Sequence, residues 1–93
     1  MHTIKKGESK FYVGENEQEP LAEITFKPAE GNKLIVDHTI VSEELQGQGM
    51  AGKLVEKVVS YARDEGKKVI PECSYAKSKM EKTPEYHDVL AGE

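Results

Sequence analysis

Three glycines within six residues, Gly47-x-Gly49-x-x-Gly52, join an apolar run to an amphipathic one. This junction constrains the fold more than any other stretch. Before it, Leu34 to Val41 is apolar except at Asp37, His38 and Thr39, and reads as a long central strand, covered on both faces. After it comes an amphipathic stretch, Lys53 to Glu65, and Ala51, Leu54, Val55, Val58, Val59 and Ala62 recur at three and four, the period of a helix with one buried face. Glycines let the chain bend and let a ligand approach bare amides. A helix that begins there presents unpaired N–H groups backed by its dipole, which is an anion site suited to phosphate. A diphosphate-bearing cofactor on this turn is one reading. A glycine loop that merely turns strand into helix is the other.

The rest of the chain supplies the context. Lys10 to Gly14 and Leu21 to Lys27 read as strands, separated by a polar turn over 15–20 that ends in proline. They predict an antiparallel hairpin, with His2 to Lys5 as a further edge strand and Pro28 to Asn32 as the next turn. Gly66 stops the long helix, and Lys67 to Pro71 resumes an extended run. Strand, helix, strand predicts a βαβ crossover with parallel strands. Ser74 is placed to cap a short helix through about Lys82, Thr83-Pro84 to start another, and the tail from Leu90 is expected to fray. The fold class is therefore α/β with a mixed sheet: an antiparallel meander followed by one βαβ unit, in one domain over 1–93.

Composition narrows the function. The net charge is −4, which argues against a general nucleic-acid binder. No apolar run approaches a membrane span, and no secretory leader is visible, so the expected location is the cytoplasm. The single cysteine, Cys73, forms no internal disulfide and fits a reducing compartment. His2 and His87 lack metal-ligand spacing, so no metal is expected.

Two families compete for the turn. The glycine spacing and Glu72 fit a dinucleotide fingerprint. Against it, Ser42 to Gln46 separate the strand from the glycines, and the preceding strands read as a meander. The same loop also reads Gln46-x-x-Gly49-x-Ala51, and here the chain resembles the GNAT N-acetyltransferase superfamily. Thr39-Ile40-Val41 before the loop and Lys53 to Val58 after it extend the likeness, which is continuous from Leu34 to Ile70. Very short GNAT-like proteins are similar also at Pro71 to Ala76 and Pro84-Glu85-Tyr86. The resemblance implies a minimal acetyl-CoA-binding fold, with acetyl-CoA held by Gln46, Gly47, Gln48, Gly49, Met50, Ala51, Gly52 and Lys53. The amides from Gln48 to Lys53 would take the diphosphate, and the backbone of Ile40 and Val41 would pair with the pantetheine arm. The chain departs from larger members in having turns where they carry two helices between their first strands, which leaves the acceptor side open.

The implied reaction is acetyl transfer to an amine, in which an oxyanion must be stabilised. The resemblance assigns that donor to a strand amide near Ile40. An unperturbed histidine titrates at about 6.5, which makes His38 a candidate to take a proton at neutral pH. Cys73, at the end of the neighbouring strand, is a candidate to accept the acetyl group, with His38 lowering its pKa. The plainer readings are a strand histidine bonded to a neighbour and a small buried cysteine. Asp37 is expected to point away from His38, across the strand. Tyr75, Lys77 and Lys79 rank lower, as packing or solvated residues. The function expected is an acetyl-CoA-dependent N-acetyltransferase with an unknown amine acceptor. The alternatives are a non-catalytic acetyl-CoA-binding module and a dinucleotide-binding fragment.

Overall fold

The computed structural model describes residues 4–15, 18–47 and 49–91. Five strands lie in chain order in one sheet: β1 (Ile4–Gly7), β2 (Lys10–Val13), β3 (Ala22–Ala29), β4 (Lys33–Val41) and β5 (Lys68–Pro71). The first four are antiparallel. Helix α1 (Met50–Glu65) carries the chain across to β5, which pairs with β4 in parallel. A 3-10 turn, Glu43–Leu45, precedes α1, and helix α2 (Ser74–Lys82) and a second 3-10 turn, Pro84–Tyr86, complete the fold. The meander and crossover are as the patterning predicts. The edge strand starts at Ile4, and His2 lies outside the described residues.

The second turn is shorter than expected, because β3 runs on through Pro28 and Ala29. Phe26 N–H bonds to Ser9 C=O, so alternate residues of β3 aim their amides toward β2. Pro28 falls in that set and lies beyond the paired end of β2, so its missing N–H breaks no ladder bond.

Packing, not propensity, makes α1. Its interior holds Gly52 and three valines, each of which costs up to about 1 kcal/mol relative to alanine. Burying a Val or Leu side chain returns about 1.5–3 kcal/mol, and Met50, Leu54, Val55, Val58, Val59 and Ala62 are all buried. They meet Val13, Ala22, Ile24, Phe26, Leu34 and Val36 from one face of the sheet, and α2 adds Ala76 and Met80 to the same core. Gly66 ends α1 in the left-handed region at φ 69°, and Lys67 N–H closes back onto Ala62 C=O.

Three expectations are corrected. β4 is covered on one face only, since the described residues of the loops before it form no helix, and Ile40 is 55% exposed. Ser74 is the first residue of α2, not its cap; Cys73 is the cap, and Lys77 N–H bonds to its C=O. The tail is docked at Leu90 rather than frayed. Leu90 bridges Val69 in parallel, Val69 N–H donates to Val89 C=O at 2.6 Å, and Ala91 N–H donates to Val69 C=O at 2.8 Å. Arg63 of α1 clamps this segment through Asp88 at 2.8 Å and the Glu85 carbonyl at 3.0 Å.

Candidate active site

The site is set by a β-bulge. Thr25 faces His38 while Phe26 faces Val36, so Asp37 is an extra residue in β4. One extra residue flips the alternation of everything beyond it. Leu34 and Val36 point at α1, and past the bulge it is Thr39 and Val41, paired with buried Ile24 and Ala22, that share that face. His38 and Ile40 are turned to the open face and are exposed. Asp37 and His38 therefore do not sit on opposite faces as strict alternation predicts. Thr25 Oγ1 donates to Asp37 Oδ1 at 2.5 Å, and that bond is the main reason the Asp37 carboxyl is held below its ordinary pKa, with His38 and Lys27 adding to it.

Beyond the bulge the sheet opens. β5 pairs with β4 only from Lys33↔Lys68 to Val36↔Pro71, after which Glu72 and Cys73 N–H both turn onto Val36 C=O. Ser42 N–H bonds to Leu21 C=O, which fixes the phase of the β3–β4 ladder. By alternation Ile40 directs its N–H and C=O to Glu23 of β3, while Thr39 and Val41 direct theirs toward the gap. The backbone edge expected from Ile40 and Val41 is thus offered by Thr39 and Val41. The Ile40 amide is committed to β3, and an oxyanion donor on this edge would come from its neighbours. Gln46 Nε2 donates to Val41 C=O at 3.2 Å, tying the glycine loop to the end of the strand.

The loop itself is a small bowl. A cavity of about 180 Å³ is lined by Val41, Leu45, Gln46, Gly47, Gly49, Met50 and Ala51. Gly47 and Gly49 have φ of 83° and 72°, and an added Cβ would meet nothing within 4 Å at either. Their glycine is required by backbone conformation, not by space. α1 begins at Met50, three residues before the amphipathic stretch that opens at Lys53, so Met50, Ala51 and Gly52 are its first turn. Lys53 N–H already donates to Gly49 C=O at 3.1 Å, which removes it from the free donors. The amides of Gly49, Met50, Ala51 and Gly52 have no acceptor within the helix. Gln48 lies outside the described residues. Gly52 differs: its backbone is ordinary helix, and a Cβ there would stand at normal contact distance, 3.5 Å from Tyr75 Oη and 3.6 Å from Lys79 Nζ. The i, i+4 pair Tyr75 and Lys79 on α2 thus overhangs the head of α1, a placement the sequence reading ranked low.

Cys73 sits at the mouth of the gap, half-buried, as the cap of α2. Its thiol donates to Thr39 Oγ1 at 3.4 Å. Burial pushes the thiol pKa up, but hydrogen bonds from the Thr39 hydroxyl and from the backbone of Ala76, Tyr75 and Thr39 outweigh it, leaving the pKa below the ordinary thiol value. The sulfur's partner is therefore Thr39, on the α1 face. The expected pairing with His38 is not formed, because the bulge turns His38 to the other face. Thr39 is the site residue that sequence reasoning missed. Among the described residues, no cluster of ligating side chains could hold a metal and no helix is long and apolar enough to cross a membrane.

The comparisons with known proteins agree with this geometry. The model of the GCN5-related N-acetyltransferase family matches residues 10–89. No curated protein matches the chain significantly. A GCN5-like protein from Staphylococcus aureus, solved by NMR, is 47% identical with a TM-score of 0.82, over 98% of this chain and 89% of that one. A GNAT family N-acetyltransferase from Escherichia coli, solved in complex with CoA, is 20% identical with a TM-score of 0.56, over 67% of this chain and 38% of that one. One from Elizabethkingia anophelis with acetyl-CoA bound is 19% identical with a TM-score of 0.55, over 67% of this chain and 40% of that one. The chain thus spans less than half the length of these two longer enzymes, yet nearly the whole of the short relative. The family match over 10–89 and the short relative together establish that the chain belongs to the GCN5-related N-acetyltransferase family.

Proposed function

We propose that this protein transfers the acetyl group of acetyl-CoA to an amine, with Cys73 as the first acceptor. One observation carries the reading: the free amides of Gly49 to Gly52 and the open edge of β4 at Thr39 and Val41 form one run of donors that ends at the Cys73 thiol. A diphosphate fits the helix head. Lys79 and Tyr75, over Gly52, add a cation and a hydroxyl beside it. A pantetheine arm extends the sheet where β5 has turned away, as an added strand would.

In the first step the Cys73 thiolate attacks the thioester carbonyl. A carbon–sulfur bond forms to Cys73, the bond to CoA sulfur breaks, and CoA leaves as thiolate and takes a proton. In the second step an amine attacks the acetylated Cys73, the new C–N bond forms, and the Cys73 thiolate is released. His38, on the open face beside the gap, takes the proton from the incoming amine. The unpaired Cys73 fits a reducing compartment, and we place the protein in the cytoplasm.

Intact-mass analysis after incubation with acetyl-CoA tests this reading. A single acetyl group is expected on the wild type and none on Cys73→Ala, with transfer lost in both steps. Unchanged turnover by Cys73→Ala removes the covalent route and leaves direct transfer. Acetyl-CoA binding with no acetyl group lost to any amine would make the protein a carrier instead.

A further inference from the structure

Between α2, β5 and the docked C-terminal segment lies a cavity of about 530 Å³, within the range of small-molecule sites. Ile70, Pro71, Leu90 and Ala91 form its apolar walls, and Lys33, Lys77, Glu81 and His87 supply its polar groups. It shares no lining residue with the bowl at the glycine loop.

Lys10 pairs with Glu23 at 3.1 Å, and the Lys68 ammonium donates to the Asp88 carbonyl. Among the described residues neither Lys33 nor Lys77 has a side-chain partner. The His87 ring donates from Nε2 to the Glu81 carbonyl at 3.1 Å, which fixes that wall. The lining therefore carries two lysines against one acidic residue, Glu81, in a protein whose net charge is −4. An apolar body bearing an anion fits such a cavity. The Glu81 carboxylate disfavours a plain anion and favours a ligand that carries an amine as well.

The position gives the cavity a role. Pro71 pairs with Val36 where β4 and β5 part, so the cavity adjoins the gap that leads to Cys73. We propose that it is the acceptor site, and that it takes an amine bearing a carboxylate on an apolar body, the chemistry of an apolar amino acid. Lys33 and Lys77 hold the carboxylate, Ile70, Leu90 and Ala91 take the side chain, and the amine is turned toward Pro71. The acceptor role rests on the acetyl-transfer reading; occupancy of the cavity does not.

The test is an amide-shift titration of the full chain with leucine, methionine and phenylalanine at millimolar levels, beside the three corresponding amino-acid amides, which lack the carboxylate. Shifts are expected at Ile70, Lys77, Leu90 and Ala91, with the amides binding at least about tenfold more weakly. The Lys33→Gln, Lys77→Gln double variant is expected to remove that preference while keeping the wild-type melting curve. Equal binding of amino acids and their amides, or no shift at these positions, overturns the proposal. A parallel titration with acetyl-CoA, read at Gly49 to Gly52, separates the two failures. If acetyl-CoA binds there and the carboxylate preference is absent, only the acceptor inference falls. If the amino acids bind and acetyl-CoA does not, the acetyl-transfer reading falls and takes the acceptor role with it.

Discussion

Two glycines three residues apart are expected to respond to alanine with opposite sign. Gly49 caps α1 at φ 72° and ψ 18°, in the left-handed region. An L-residue there costs about 1–2 kcal/mol. The added Cβ itself meets nothing within 4 Å, so crowding contributes nothing. Gly49→Ala should therefore lose about 1–2 kcal/mol, a fall in Tm of about 4–16 °C for a domain of this size. Gly49→Asn adds the same Cβ, but asparagine tolerates the left-handed backbone, so its loss should be well under half of that. Gly52 has ordinary helical geometry, and its Cβ would rest 3.5 Å from Tyr75 and Lys79 atoms, a normal contact distance. Gly52→Ala should gain about 0.5–1 kcal/mol from the unfolded chain's reduced freedom. Urea and thermal unfolding followed by far-UV circular dichroism measure all three. Binding separates the variants again: Gly49→Ala loses acetyl-CoA affinity with its stability, while Gly52→Ala weakens binding despite the gain, since its methyl stands among the donors. A stable Gly49→Ala, equal losses for Ala and Asn at 49, or a destabilised Gly52→Ala would refute the conformational argument.

Other consequences are as direct. Thr39→Val removes a hydrogen bond that lowers the Cys73 pKa, so the pH profile of Cys73 alkylation should move to higher pH and the rate at neutral pH should drop; an unmoved profile would mean Thr39 does not touch the thiolate. The folded-state pKa of Asp37 is depressed, so its bond from Thr25 contributes above the unfolded value of 3.8 and fades as pH falls through the folded one. The stability gap between wild type and Thr25→Val should accordingly be constant near neutrality and shrink in acid, by urea unfolding across pH. Arg63→Met frees Asp88 and the Glu85 carbonyl, so hydrogen exchange at Ala91 and at Val69, whose amides tie the tail to β5, should quicken while the α1 interior stays protected.

How much of this was legible in the sequence follows from the range of the forces involved. α1 declared itself because Leu54, Val55, Val58, Val59 and Ala62 repeat at helical spacing, and the meander because Leu21 to Lys27 alternates. Both are local patterns. The docking of Val89 to Ala91 was not legible, since its hydrogen bonds go to Val69, twenty residues earlier by the Val69–Val89 pairing. The Cys73 cap was hidden because Ser74, the better capping residue by type, stands one position too late. From sequence Tyr75 reads as a packing residue and Lys79 as a solvated one, because only the approach of α2 to Gly52 puts them over the helix head.

The bulge is the instructive failure, because the proposed chemistry depends on it. Asp37, His38 and Thr39 form a polar run inside an apolar strand, and a polar run carries no alternation from which the phase could be read. Strict alternation groups Val36, His38 and Ile40 on the buried face. With one residue inserted, Thr39 and Val41 take that face, and the same insertion hands their amides to the side that β5 vacates. Side chain and backbone change together, since in a strand they share one period. The result is that a hydroxyl, not an imidazole, meets the Cys73 thiol, while the imidazole is delivered to the face left bare by the missing helices. A nucleophile needs a partner that stabilises its anion, and an incoming amine needs a base on its own side. In the transfer we propose, one extra residue in β4 serves both needs by dividing the two tasks between the two faces of the sheet.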